Sequence, residues 1–284
     1  MGAGVGVVTD STADLPLDLA EEVGLRVVPM SVSFRDETFI SRVTISDDEF
    51  YARLDAATQL PTTAQPNPAW FEEAYADCVD DGLTACVSLH VSRELSGTVA
   101  AARRAADDAG LPVRVVDSRQ VGGGLALMAL AAQRRAAAGG SVDEVVDAAG
   151  RARAGLANYV VVDTLENLRK GGRVSGAQAL VGNVLQVKPI LTVRDGRIEP
   201  VQRARTFKRA LDDIVGLVAD RLAGAPADVV VTHALAPERA EQLWARLHDR
   251  IEVARELTTV FGPVLATHTG QGAVAVAATP TEDG

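Results

Sequence analysis

Short β-branched apolar runs alternate with stretches of helical spacing through the first half of the chain. Val5 to Val8, Leu25 to Val28, Ala85 to Leu89 and Val113 to Val116 have the length of strands. Between them, Leu17 to Val23, Phe71 to Val79 and Val99 to Ala109 repeat apolar residues at helical intervals. That alternation predicts a largely parallel sheet covered by helices. Helix starts are marked as well: Ser46 with Glu49 and Ser141 with Glu144 have capping-box spacing, and Pro68 suits a first helical turn.

A helical pair, Leu125 to Ala138 and Val142 to Ala154, joined by Gly139-Gly140, ends this unit, and a new apolar run opens at Tyr159. A boundary near residue 155 follows, with an N-terminal α/β domain over 1–155 and a C-terminal α+β domain over 156–284. In the second unit Lys188 to Val193 and Arg197 to Arg203 flank Asp195-Gly196, a strong hairpin signal that predicts antiparallel pairing. Val229 to Thr232 and Val264 to Thr267 are further strand candidates around helices at Phe207 to Leu222 and Pro237 to Leu247. The fold class expected is α/β with two domains.

Composition narrows the function. The 284 residues, 47% hydrophobic and 23% charged, suffice for two cores of ordinary size. A net charge of −10 argues against a nucleic-acid backbone as partner. The longest apolar stretch, Leu125 to Ala132, has eight residues where a bilayer span needs roughly 20. No charged-then-apolar leader opens the chain, so a cytoplasmic protein that is not membrane-embedded is expected. Cys78 and Cys86 are expected as reduced thiols, Cys86 buried. The four histidines have no metal-site spacing, so no metal or cofactor is expected.

Several polar segments sit where ligands bind. Thr9 to Asp14 follows the first strand, and loops at the carboxyl ends of parallel strands line the crevice of open α/β sheets; taken alone, helix capping is the simpler reading of these residues. Pro61 to Pro68 is a polar loop stiffened by proline, either a ligand loop or a linker. Leu95-Ser96-Gly97-Thr98 opens a helix, where unpaired amides favour an anion, or where Ser96 serves as the cap. Gly262 to Gly270 places His268 at the end of the short strand candidate. Leu168 to Arg173 and Arg203 to Arg209 are basic segments, read as solvated helix charges or as contacts to phosphate or an acidic partner.

Taken together and in order, these segments resemble the DegV family of bacterial fatty-acid-binding proteins. The set comprises Thr9-Asp10-Ser11-Thr12, Thr63 with Gln65-Pro66, Leu95-Ser96-Gly97-Thr98, Asp117-Ser118, Leu168 through Arg173, Val187 to Leu191, Arg205-Thr206 and Gly262 through His268. The resemblance implies a two-domain fold with one long-chain fatty acid between the domains, its carboxylate held by Thr63, Ser96 and His268. Ser11, Gly97 and Thr98 are then expected near the head group. It also implies, for some members, service as the acyl-binding subunit of a fatty acid kinase. The protein would bind without catalysing, presenting the acid to an ATP-using partner with Arg173 and Arg205 near the acid group or the partner contact. Ala64 and Gly122 depart from the family pattern, in which serine is common at both positions. The tail would run along helices, with Leu125 to Leu130 and Ala179 to Leu185 as candidates.

Two enzyme readings compete. Ser96 and His268 with Asp10 or Asp117 would make a hydrolase triad, although Ser96 lacks the Gly-x-Ser-x-Gly turn. A sugar- or nucleotide-phosphate transferase would use the arginines and the helix-start loops.

Overall fold

The computed structural model describes residues 4–173 and 187–281. The first half runs β1 (Val5–Asp10), a 3-10 turn (Ser11–Ala13), α1 (Leu17–Glu22), β2 (Leu25–Val28), β3 (Ser31–Phe34), β4 (Glu37–Ile40) and α2 (Asp47–Ala56). It continues with β5 (Thr62–Ala64), α3 (Pro68–Asp80), β6 (Ala85–His90), α4 (Thr98–Ala106), β7 (Val113–Asp117), α5 (Gly123–Ala137) and α6 (Val142–Gly155). The second half runs β8 (Ala157–Val161), α7 (Glu166–Lys170), β9 (Lys188–Arg194), β10 (Arg197–Ala204), α8 (Phe207–Leu222), β11 (Ala227–His233), α9 (Pro237–His248), β12 (Val253–Val260), α10 (Pro263–Thr269) and β13 (Val274–Pro280).

Among the described residues three sheets form. The first is parallel throughout, in the order β2-β1-β6-β7. Every residue of β1 is buried, as the continuous apolar run required, because helices cover both faces. On one face lie α3 and α4, through Phe71, Tyr75, Cys78 and Ala101. On the other lies α5, with Leu125, Ala126, Met128 and Ala129 in the same core as Val7 and Leu89. The second sheet is mixed, in the order β10-β9-β8-β13-β11-β12, and only β11 and β12 are parallel. Its outer face is covered by α8 and α9 through Leu211, Ile214, Val218 and Leu243. Its inner face meets α5 again, where Leu127 packs with Val230 and Ala277. This helix is apolar on nearly every side because it is buried between two sheets.

Most elements follow the pattern that predicts them. The Asp195-Gly196 turn joins β9 and β10, with φ of 49° and 82° at those two residues, the left-handed pair a two-residue hairpin needs. Ser141 and Glu144 form a reciprocal capping box at α6. Ser46 caps α2 by accepting from the Glu49 amide, but the Glu49 carboxylate takes Arg53 instead of closing the box.

Three expectations fail. Val264 to Thr267 is helical, inside α10: Pro263 presets the first turn, and the β-branched residues pack along one face of a short helix. The second-half strands missing from the expectation are β12 and β13; β12 is an edge strand whose Arg255 and Glu256 face solvent and interrupt its apolar run. The third sheet, β4-β3-β5, is also unforeseen, and it turns part of the Pro61 to Pro68 loop into a strand. Its residues are short and mostly polar, so little periodicity marks them. Val32 of this sheet, with Phe50 and Tyr51 of α2, packs on Val162, Leu191, Phe261 and Ala266 from the second half.

Candidate functional site

β5 pairs with β3 so that Thr63 stands opposite Val32. Its hydroxyl reaches His268 of α10, Oγ1 to Nε2, at 3.0 Å. The two residues lie 205 positions apart in sequence. Phe261, just ahead of α10, and Val264, Leu265 and His268 on it line a cavity between the two larger sheets. That cavity holds about 930 Å³ of empty space, part of it open to solvent. Thr63, Ser96, Arg173 and His268 all line it, and Met30, Leu191, Ile198 and Phe261 are among its apolar walls.

Burial, and next the positive charge of Arg173, push the His268 imidazole down to about 4, so the ring is neutral near pH 7. Its Nδ1 is buried without a hydrogen-bond partner among the described residues. Ser96 closes a turn after β6: the Leu95 and Ser96 amides donate to the Ser92 carbonyl at 2.9 and 3.1 Å. The Ser96 hydroxyl pairs with Thr98 Oγ1 at 2.8 Å. It does not cap α4, whose N-cap is Gly97 with no side-chain bond. A hydroxyl freed from capping is available to a ligand.

The expected head-group neighbours are placed differently. Ser11 accepts from the Met30 amide at 3.0 Å and borders a separate crevice, while the adjacent Thr12 lines the cavity. Gly97 lies beneath Gln65, close enough that a Cβ there would stand 1.9 Å from Gln65 Oε1. Thr98 is buried behind Ser96. Arg205 is exposed between β10 and α8, away from the cavity lining, whereas Arg173 belongs to it. Gly122 has φ 62° and ψ −141°, a backbone shape natural to glycine. Of the helical tail candidates, Leu125 to Leu130 is core, and only Gly122 and Gly123 at the start of α5 reach the cavity. Ala179 to Leu185 lies outside the described residues.

Gln65, which the polar loop Pro61 to Pro68 pointed to, lines the wall, whereas sequence reasoning missed Asn158, Tyr159 and Thr192. Asn158 was legible as a polar residue in the run Ala157–Val161. Its Nδ2 donates to Gln120 Oε1 at 3.0 Å and to the Val121 carbonyl at 3.1 Å.

The hydrolase triad does not assemble. Asp117 accepts from the Arg93 and Arg119 amides. Asp10 takes His90 Nδ1 at 3.1 Å, and His90 Nε2 meets Ser88 Oγ at 2.6 Å. This Asp10–His90–Ser88 chain has triad order, but it is wholly buried and ends on the Tyr75 hydroxyl at 2.8 Å. Burial pushes the Asp10 carboxyl up, yet its bonds from His90, Thr12 and Val91 outweigh that and leave it lowered. Among the described residues no group of side chains has the makings of a metal site, and no helix is long and apolar enough to cross a membrane.

Comparison with known proteins extends the geometry. A DegV domain-containing protein of Streptomyces coelicolor is 43% identical over 277 residues, covering 97% of this chain and 98% of that one. The structure of a DegV family protein from Thermus thermophilus, described as fatty acid binding, superposes with a TM-score of 0.92 at 32% identity. That match covers 98% of this chain and 100% of the other. DegV of Bacillus subtilis, described as a fatty acid binding protein, superposes with a TM-score of 0.88 at 30% identity, over 98% and 100% of the two chains. The family model described as "Uncharacterised protein, DegV family" matches residues 4–281. With fold and sequence agreeing from end to end, this chain belongs to the DegV family.

Proposed function

We propose that the cavity binds one long-chain fatty acid, with the carboxylate against Thr63, Ser96 and His268 and the tail along the apolar walls. The observation that carries this is the Thr63–His268 hydrogen bond, which joins two neutral polar side chains in the wall of a largely apolar cavity. In the tautomer protonated at Nε2, which leaves no proton on the partnerless Nδ1, His268 donates to Thr63 and the Thr63 proton is left for a ligand oxygen. Ser96 supplies a second hydroxyl, and Arg173 supplies positive charge near the ring. A carboxylate leaving water needs such partners, since an unpaired buried charge is strongly disfavoured. A tail of about 14 methylenes contributes roughly 10 kcal/mol on leaving water, before ordering costs.

In this reading residues 1–155 and 156–284 act as two domains around the ligand. The protein works without catalysing a reaction, as the acyl-binding subunit of an ATP-dependent fatty acid kinase in the cytoplasm, and Arg205 contacts the kinase. The exposure of Arg205 and the basic run Arg203 to Arg209 around it support this contact.

Native mass spectrometry before and after denaturation tests the ligand. A co-purifying C16 or C18 acid is expected, and stripped protein should melt higher when oleate is added below its micelle concentration. Identical melting with and without oleate would count against the reading.

A further inference from the structure

Three consecutive backbone groups just ahead of α10 are gripped by three side chains from the first half of the chain. Arg42 donates to the Val260 carbonyl at 2.8 Å. Tyr51 donates from its hydroxyl to the Phe261 carbonyl at 2.8 Å. Asp14 accepts from the Gly262 amide at 3.0 Å through Oδ1. The three come from separate places: the end of the 3-10 turn, the loop after β4, and α2. Arg42 is itself fixed by Asp47, at 3.0 and 3.1 Å from Nε, and by the Leu15 carbonyl at 3.0 Å.

This arrangement is maintained against local cost. Asp14 and Arg42 have φ of 51° and 60°, in the left-handed region that side chains other than glycine seldom occupy. Such residues persist where the surroundings over-determine them, often beside a ligand site. Asp14 is also 1% exposed, and its Oδ2 has no hydrogen-bond partner among the described residues. The charged and titratable groups facing it are Arg42, Asp47, Asp10 and Tyr51. A glycine at 262 allows the close approach, since a Cβ there would lie 2.9 Å from Asp14 Oδ1 and 3.2 Å from Arg42 Cζ.

We propose that Asp14, Arg42 and Tyr51 are positioning residues for head-group binding: they lock the entry to α10 across the two halves and so fix His268 against Thr63. Phe261 lines the cavity directly, Gly262 is the N-cap of α10, and His268 stands in the last turn of that short helix. A shift at residues 260–262 therefore displaces the imidazole. The proposal rests on the fatty-acid reading of the cavity.

The test compares oleate with methyl oleate, which keeps the tail but carries no charge. Asp14→Gly removes the acceptor while suiting the left-handed backbone, Asp14→Asn keeps an acceptor oxygen, and Tyr51→Phe removes one hydroxyl. Asp14→Gly and Tyr51→Phe are each expected to weaken oleate binding by roughly five- to tenfold, the scale of one lost hydrogen bond, with methyl oleate changed less than about twofold. Asp14→Asn should recover oleate binding to within about twofold of wild type. Wild-type oleate affinity in Asp14→Gly, equal loss of both ligands, or failure of Asp14→Asn to recover would each overturn the proposal. The imidazole titration of His268, followed by NMR in ligand-free protein, is the independent arm: Asp14→Gly should move it toward the ordinary histidine range as the ring gains water. Should wild type bind no oleate, the fatty-acid reading fails, and an unmoved His268 titration then overturns the clamp as well.

Discussion

The Nδ1 of His268 lies against Gly171, only 2.5 Å from where a Cβ at that position would stand. The glycine after α7 is thus a wall for the imidazole, and its φ of −73° would suit any residue. Space, not backbone freedom, calls for glycine. Gly171→Ala should leave the fold intact and push the ring off Thr63, weakening oleate binding about fivefold or more, as expected for a lost hydrogen bond. Calorimetric titration of stripped protein checks it, and an unchanged affinity would show that the ring has room to move.

Thr63→Ala, Ser96→Ala and His268→Ala should each cost on the order of 1–3 kcal/mol of oleate affinity, because a buried carboxylate loses a partner. Methyl oleate should lose much less. Equal losses for acid and ester would make the three residues packing elements and nothing more.

Stability should respond to pH through two groups of opposite sign. Burial lifts the Asp14 carboxyl from 3.8 to about 7, with Arg42 opposing. Between those values the folded state holds a proton that the unfolded chain has lost, so Asp14 contributes stability at low pH that disappears as pH rises toward 7. His268 is lowered from 6.5 to about 4, so its contribution is present above pH 6.5 and lost as pH falls toward 4. Asp14→Asn should therefore gain on wild type as pH rises from 5 to 7, by at most about 1.4 kcal/mol per pH unit, and the gain should level off above 7. Urea unfolding of both proteins at pH 5, 6, 7 and 8 reads this directly. A constant difference across that series would mean that Asp14 titrates alike in both states.

The two arginines separate by location. Arg173 lines the cavity, and its charge acts on His268; Arg173→Ala should raise the His268 pKa in an NMR titration. Arg205 is exposed and off the cavity lining, so Arg205→Ala should bind oleate normally and yet fail to support acyl-phosphate formation with an ATP-using kinase. Full turnover at limiting protein concentration would remove Arg205 from the contact.

What was legible in the sequence followed from strong local signals. The parallel sheet was marked by continuous runs such as Val5 to Val8, buried on both faces, and the hairpin by Asp195-Gly196. The cavity residues Thr63, Ser96 and His268 came from motif resemblance, not periodicity, since no local pattern joins positions 205 apart. What escaped was settled by tertiary packing: α10 has a strand-like composition but a proline start, and β3, β4 and β5 are too short and polar to show a period. Ser11 and Gly97 sit one residue away from cavity-lining Thr12 and Ser96, and sequence alone does not tell which neighbour points inward.

The position of α5 constrains how the molecule comes apart. Its Leu125 and Met128 belong to the core under the parallel sheet, while Leu127 packs on Val230 and Ala277 of the mixed sheet. At its start Gly123 admits Ala277 so closely that a Cβ there would stand 2.9 Å from the Ala277 Cβ. A helix shared between two cores leaves no dry seam along which the halves can part. Calorimetry should accordingly record one melting transition, with van't Hoff and calorimetric enthalpies in agreement. A fragment beginning at Ala157 would be left with an uncovered apolar face and should aggregate instead of folding.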